Sequence, residues 1–239
     1  LDWIVPDATG VDAIIQTLIK QSAFVPPAQI QAPATKEVLM EFSTVVRKRR
    51  MVRNFTDQPV DPDAIDRMLD LARKAPSAGF TQGQSFVVVT DPERREIVAG
   101  FCAENEYVDG GFDPFISRAP VQILVCANES AYHQRYQERD KLGEAGEEID
   151  WDIPYWHVDA GCAAMIILLA AVAEGLGAGY AGVIDHAGLH DFLGIPDTIS
   201  VIGVIPIGHP APDVRSGSLA RGRRLVSEVV HRERWTPSA

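Results

Sequence analysis

Cysteine is scarce in this chain: Cys102, Cys126 and Cys162 are the only three in 239 residues, and none sits in C-x-x-C spacing. An odd and dispersed set supports neither a disulfide framework nor a zinc knuckle, and it fits a reducing, cytoplasmic setting. Long apolar runs are lacking as well. The longest uncharged one, Ala160 to Ala173, falls short of the roughly 20 residues a helix needs to cross a bilayer. No basic-then-apolar leader is legible in the opening residues, so no membrane role is expected. Positive charge is in deficit, with 22 Lys and Arg against 33 Asp and Glu and a formal net charge of -11. A surface of that sign repels a phosphate backbone, which argues against a nucleic-acid partner and requires any anion site to be local. There is no G-x-S-x-G elbow, and no cysteine lies in a context that marks a nucleophile, so hydrolysis by a protein nucleophile is unsupported.

What is present is an ordinary globular mixture, 46% hydrophobic and 23% charged, at a length that suits one α/β or α+β domain. Residues 1–39 read as an arm. Pro6, Pro26, Pro27 and Pro33 surround one amphipathic stretch, Asp12 to Lys20. From Lys36 a helical pattern with Val38, Leu39, Phe42 and Val46 runs into a basic cluster. Asp61 as N-cap and Pro62 in the first turn open a second helix, with Ile65, Met68, Leu69 and Ala72 on one face, that ends before Pro76. Phe86 to Val89 and Val121 to Ala127 read as buried strands with helical sequence between them. Residues 128–153 are acidic and lack an apolar period, which predicts a mobile, solvated lid. The segment from Pro154 to Glu174 is apolar nearly all round and predicts a helix covered on every side, by core or by another subunit. Gly177 to Val183 predicts a strand, Leu189 to Leu193 a helix and Val201 to Ile207 a strand, before a basic tail.

Two arginine groups stand out against the acidic background: Arg47, Arg49, Arg50 and Arg53, and Arg221, Arg223 and Arg224. The guanidinium fork grips phosphate oxygens bidentately, and two distant groups meeting on one dianion would neutralise it. Cations closing a helix also complement its dipole, and the pattern alone does not decide between these. The small-residue stretch Ala75-Pro76-Ser77-Ala78-Gly79 would let backbone amides approach a flat ligand, or simply form a turn. Gly177, Gly179 and Gly182 match G-x-G-x-x-G formally. A dinucleotide turn, however, needs strand, glycines, then helix, whereas here a long helix precedes them, so capping and close packing explain them better. His186 and His190, four apart beside Asp185, lack the glutamate and third ligand of a zinc site, and no metal is expected.

Taken in order, the motifs from about residue 40 to 235 resemble the FMN-dependent nitroreductase family. Arg49-Arg50-Met51-Val52-Arg53-Asn54-Phe55 followed by Pro59-Val60 is similar to its R-R-S-x-R-x-F…P-V opening. Ala75-Pro76-Ser77-Ala78-Gly79-Phe80-Thr81-Gln82 with Phe86-Val87-Val88-Val89 is similar to A-P-S-x-x-N-x-Q…F-V-V-V. Asp159-Ala160-Gly161, Glu174-Gly175-Leu176-Gly177 and Ile207-Gly208-His209-Pro210 match its central helix and last strand, and Arg221-Gly222-Arg223-Arg224-Leu225 its closing basic motif.

The resemblance implies an α+β fold, an α/β/α sandwich with a mixed, mainly antiparallel sheet flanked by helices, formed by residues 40–239 as an obligate homodimer. It implies FMN, held by Arg49, Arg50, Met51, Arg53, Arg221 and Arg223 at the phosphate and ribityl chain. Pro76, Ser77, Ala78, Gly79 and Gln82 would face the isoalloxazine from the partner subunit, and Gly182 and Val183 its N5 and O4 edge. No side chain is expected to act as a catalytic residue, because the flavin carries hydride from NADH or NADPH to a nitroaromatic, quinone or flavin acceptor in a ping-pong cycle. Met51 stands for the usual Ser, Phe80 for the usual Asn, and Gly83-Gln84 for the common Pro-Trp. These departures keep open a specialised reductase, dehalogenase or dehydrogenase, a deazaflavin donor, or a flavin-storage protein. The arm over 1–39 is expected to wrap the partner subunit.

Overall fold

The computed structural model describes residues 40–144 and 146–236. The expected arm, with its Asp12 to Lys20 stretch, and the start of the first helix at Lys36 lie outside the described residues. In chain order the helices are α1 (Phe42–Lys48), α2 (Pro62–Ala72), α3 (Pro92–Phe101), α4 (Glu104–Asp109), α5 (Phe115–Arg118), α6 (Glu129–Tyr136), α7 (Tyr155–Ala173), α8 (His186–Leu193) and α9 (Val226–Val229). The strands are β1 (Gln84–Val89), β2 (Val121–Asn128), β3 (Gly177–Ala178) and β4 (Ile199–Gly208). They form one sheet in the order β1-β2-β4-β3, and each neighbouring pair is antiparallel.

The period-two alternation of β2 places this sheet between two helical layers. Val121, Ile123, Val125 and Ala127 point into a cluster with Met68 and Ala72 of α2 and Ala160, Ala164 and Ile167 of α7. Leu124 and Cys126 point the other way, towards Val98 of α3, Phe115 of α5 and Leu189 of α8. The result is the α/β/α sandwich that the motifs imply. A register shift between Val125 and Cys126 swaps the faces of β4. There the Tyr180 ring fills the space beside Gly203, and its hydroxyl donates to Ile202 O at 2.8 Å.

Helix α2 forms as its sequence dictates, with the Asp61 side chain accepting from Asp63 N–H at 3.0 Å and Pro62 in the first turn. Three expectations need correction. Helix α1 buries Val45, whereas Phe42 and Val46, which carried its apolar pattern, are exposed. The strand expected over Gly177 to Val183 shrinks to Gly177–Ala178 plus one bridge from Ala181 to Val204. Opposite the gap stands Pro206, whose carbonyl accepts Gly179 N–H at 2.9 Å but which has no N–H to return, so the ladder cannot continue.

Residues 128–153, read as a mobile lid, begin with helix α6, whose Tyr132 is completely buried, and the strap that follows is anchored by Trp151. Trp151 packs edge-on against Tyr136 at 4.6 Å and Trp156 at 5.9 Å, and its indole N–H donates to Glu148 Oε1 at 2.6 Å. A single anchoring indole has no period, so it left no trace in the pattern.

Helix α7 is the described helix long and apolar enough to cross a membrane by length and composition, and half of it is buried inside the protein. Ala160, Ala163, Ile167 and Ala171 are fully covered, but Val158 and Met165 are each 46% exposed, so a single copy does not cover it on every side.

Candidate functional site

After α1 the chain turns extended and lies against β3. Val52 N–H donates to Ala178 O at 3.0 Å, and Met51 forms a parallel bridge to Ala178. The nearby glycines permit this approach: a Cβ on Gly177 would stand 2.8 Å from Val52 Cγ2, and one on Gly179 2.8 Å from Val52 O. Their G-x-G spacing therefore serves packing. The segment after β4 runs back along this strip, with Ala211 N–H on Asn54 O at 3.1 Å and Asn54 Nδ2 on Pro212 O at 2.9 Å.

These contacts distribute the first arginine cluster into different roles. Arg50 Nη1 reaches both carboxylate oxygens of Asp213, at 2.8 and 2.6 Å, and Arg53 N–H adds a bond to Oδ2 at 2.9 Å. Burial pushes the Asp213 carboxyl up, but Arg50 and the Arg53 amide outweigh it and hold the group below its usual range. The Arg53 guanidinium lies 5.3 Å from the Phe112 ring centroid. Arg49 differs from both, because its Nη1 is buried with no hydrogen-bond partner among the described residues. A buried guanidinium nitrogen left this way has donor capacity to offer an anion.

Arg221 ends the one-turn helix Gly217–Arg221, and Arg223 follows; both are exposed and neither is ion-paired among the described residues. Arg224 turns to Glu228, donating to its carbonyl at 2.7 Å. Asp213 ties the segment leading to this second cluster onto the first, while no residue among those described is hydrogen-bonded to both clusters through Arg221 or Arg223.

The loop after Pro76 is held on a frame of buried polar groups. Ala78 N–H donates to Asp159 Oδ2 at 2.8 Å, and the Tyr132 hydroxyl donates to the same oxygen at 2.8 Å. Asp159 is 6% exposed. Gln82 N–H donates to Ser77 Oγ at 2.9 Å, and Arg135 Nε to Gly79 O at 3.0 Å. Arg135 in turn grips Asp140 at 2.7 and 2.8 Å, and that bond brings the Asp140 carboxyl down to about 2. The backbone is left-handed at Gly79 (φ 63), Phe80 (φ 57) and Gln82 (φ 55), a conformation that costs the two non-glycine residues. A Cβ on Gly79 would stand 2.8 Å from Tyr136 Cε2. Phe80 itself projects outward, 77% exposed.

On the opposite side of the fold, the turn at Gly182 and Val183 is pinned by Ile184 and Asp185 N–H bonds to Phe101 O, at 2.9 and 3.1 Å. Gly182 is exposed, with open space where a Cβ would be. It opens on a cleft of about 290 Å³ lined by Cys102, Ala103, Glu106, Tyr107, Gly182 and Ile184. Burial pushes the Cys102 thiol up to about 12 and Cys126 to about 11, so neither is a nucleophile at neutral pH. His186 and His190 line a separate open cleft with His157 and Asp197. Among the described residues no three His, Cys, Asp or Glu side chains converge closely enough to hold a metal ion.

Sequence reasoning missed Asp159, Tyr132, Arg135 and Asp213 as supports of this site. Asp159 carried a readable signal, being the single acid in the otherwise apolar stretch of α7. Asp213 carried none.

The model of the nitroreductase family matches residues 46–209. A protein of Archaeoglobus fulgidus described as a putative NADH dehydrogenase/NAD(P)H nitroreductase is 27% identical over 196 residues, 80% of this chain and 97% of that one. An FMN reductase [NAD(P)H] of Bacillus subtilis is 28% identical over 189 residues, 77% of this chain and 70% of its own length. The crystal structure of a nitroreductase family protein from Streptococcus pneumoniae superimposes with a TM-score of 0.64 at 21% identity, covering 81% of this chain and 100% of that chain.

Proposed function

This chain belongs to the nitroreductase family, and on that premise we propose that it is an FMN-dependent oxidoreductase that passes hydride from NADH or NADPH to a small oxidised acceptor. The observation that carries the reading is the unpartnered, buried Arg49 Nη1 in a chain of net charge -11. An FMN phosphate supplies the missing acceptor, with Arg221 and Arg223 closing on it from the second cluster. Arg50, already engaged by Asp213, fixes the strip on which Arg49 sits.

When bound, FMN supplies the hydride chemistry. The chain's own residues bind and orient it and exclude water. The loop Pro76–Gly79 with Gln82 offers backbone to a flat ring, and the open backbone at Gly182 and Val183 offers donors at its edge. The half-exposed Val158 and Met165 on α7, and the exposed Leu219, Leu225, Val226 and Trp235 beyond β4, are the apolar surface of a homodimer that brings the loop and the arginines of two subunits together. Nitroaromatics, quinones and free flavins suit an open face that donor and acceptor occupy in turn. The setting is cytoplasmic, with no nucleic-acid or membrane partner.

Absorbance of the purified protein, followed by release and identification of the chromophore, tests the cofactor. Anaerobic addition of NADH and of NADPH tests turnover. Bleaching of the flavin by either donor is expected. An oxidised spectrum that persists with both donors overturns the enzymatic reading in favour of storage.

A further inference from the structure

Asp159 is a buried carboxylate on a helix whose other buried residues are apolar, and burying such a charge is unfavourable unless hydrogen bonds compensate it. Among the described residues both hydrogen bonds to it go to Oδ2, and both donors belong to the architecture of the loop. Ala78 N–H comes from the middle of that loop. Tyr132, completely buried, comes from α6, the helix whose next turn supplies Arg135 to Gly79 O and the Tyr136 ring against Gly79. One oxygen atom thus joins the loop, α6 and α7. The loop it holds is under tension, because Phe80 and Gln82 adopt a left-handed backbone that neither side chain favours. Strained backbone persists only where surrounding contacts over-determine it, and Asp159 is the anchor at the loop's centre.

We propose that Asp159 is a positioning residue of the redox site, its buried carboxylate fixing Ala78 and through it the pose of the Pro76–Gly79 backbone against the flavin ring. The inference rests on the flavin reading above. Asp159 touches neither cofactor nor substrate in this arrangement. It acts through the Ala78 amide, and Tyr132 holds the carboxylate in the orientation that the amide needs. Hydride transfer is sensitive to geometry, and displacement of a positioning element by about 1 Å can slow a reaction by about two orders of magnitude. The grip on the phosphate is assigned to other residues, Arg49, Arg221 and Arg223, so pose and affinity should separate.

The test compares the full-length protein with D159A, D159N and Y132F. Amide hydrogen exchange over residues 77–82 is measured on the apoprotein, and FMN affinity, kcat per bound flavin and KM for the reduced nicotinamide on the holoprotein. For D159A, exchange in this loop should rise at least tenfold while β2 keeps its protection. Its kcat per bound flavin should fall at least tenfold, with FMN affinity and KM within about threefold. D159N, whose amide oxygen can still accept from Ala78, should restore most of the protection and of kcat. Y132F should give an intermediate loss and serves where D159A does not fold.

Unchanged loop exchange in D159A and Y132F overturns the proposal, as does a loosened loop with unaltered kcat per bound flavin. Failure of the wild-type chain to bind FMN overturns the redox role through the flavin reading itself. The apoprotein exchange comparison distinguishes that failure from the first.

Discussion

Arg50 and Asp213, 163 positions apart in the chain, form an ion pair in which one guanidinium nitrogen contacts both carboxylate oxygens, at 2.8 and 2.6 Å. The Asp213 side chain is 7% exposed and that of Arg50 43%, so the pair is sheltered on one side only. It closes the segment that follows the last strand onto the strip that follows the first helix. Replacing Asp213 with Asn should destabilise the protein by about 1–2 kcal/mol at neutral pH, after discounting for the exposed arginine. Because the folded-state pKa of Asp213 is lowered, its contribution is present above the unfolded carboxylate value and is lost as pH falls through the folded one. Urea unfolding of wild type and D213N at neutral pH and at about pH 3 checks this. An equal difference at both pH values would contradict it.

Arg49 offers a sharper test of the cofactor. On the function proposed above, replacing it with Ala should remove a charge-assisted bond worth about 1.5–3 kcal/mol, so FMN should bind roughly 10- to 100-fold more weakly. R49K should recover part of the loss, because a point charge replaces the fork. Flavin fluorescence titration measures both, and wild-type affinity in R49A would remove Arg49 from the phosphate site.

Phe80 occupies a left-handed backbone position, φ 57, where an asparagine would sit with less strain. F80N should therefore stabilise the fold by about 0.5–1 kcal/mol. The exposed ring is also the loop's outward apolar feature. Its loss should raise KM for aromatic acceptors more than for reduced nicotinamide. Thermal unfolding and a two-acceptor kinetic comparison read these effects, and destabilisation by F80N would refute the strain argument. In contrast, G79A places a Cβ 2.8 Å from Tyr136 Cε2 at φ 63. It should cost about 1–2 kcal/mol.

The strap after α6 should respond to pH. His133 Nδ1 lies 2.6 Å from Glu148 Oε1, and Glu129 faces its other nitrogen at 3.5 Å. The Glu148 bond raises the imidazole pKa, while the Trp151 indole foremost, and His133 after it, lower that of Glu148. The His133 contribution is complete below the unfolded imidazole value and lost as pH rises through the folded one. That of Glu148 is lost as pH falls through its own lowered value. Residues 137–153 should therefore be best protected between about pH 4.5 and 6.5. Hydrogen exchange corrected for its intrinsic rate should show faster opening at pH 8, with H133Q removing the difference. A strap equally protected at both pH values in the wild type would defeat the prediction.

Much of the fold was legible because local chemistry and burial agreed. Asp61-Pro62 announced α2, the apolar run of β2 broken only by Gln122 announced a buried strand, and the all-round apolar α7 announced the central helix. What could not be read depended on partners distant in sequence. Tyr132 and Trp151 anchor an otherwise polar segment as isolated residues, which leave no period. Phe42 and Val46 carried the helical pattern yet are exposed, because helical spacing gives a face without saying what meets it. Pro206 shortened β3 from across the sheet, an effect invisible in the sequence of β3 itself. The two arginine groups were visible, but the ion pair of Arg50 was not, since it depends on the carboxylate of Asp213 far along the chain.

The burial of Cys102 and Cys126 has a practical side. Both thiols sit beneath the core with their protons held far above neutral pH, whereas Cys162 on α7 is only half-covered. Stored in air without reductant, the protein should resist intermolecular cross-linking through the first two, and brief alkylation under native conditions should leave both unmarked.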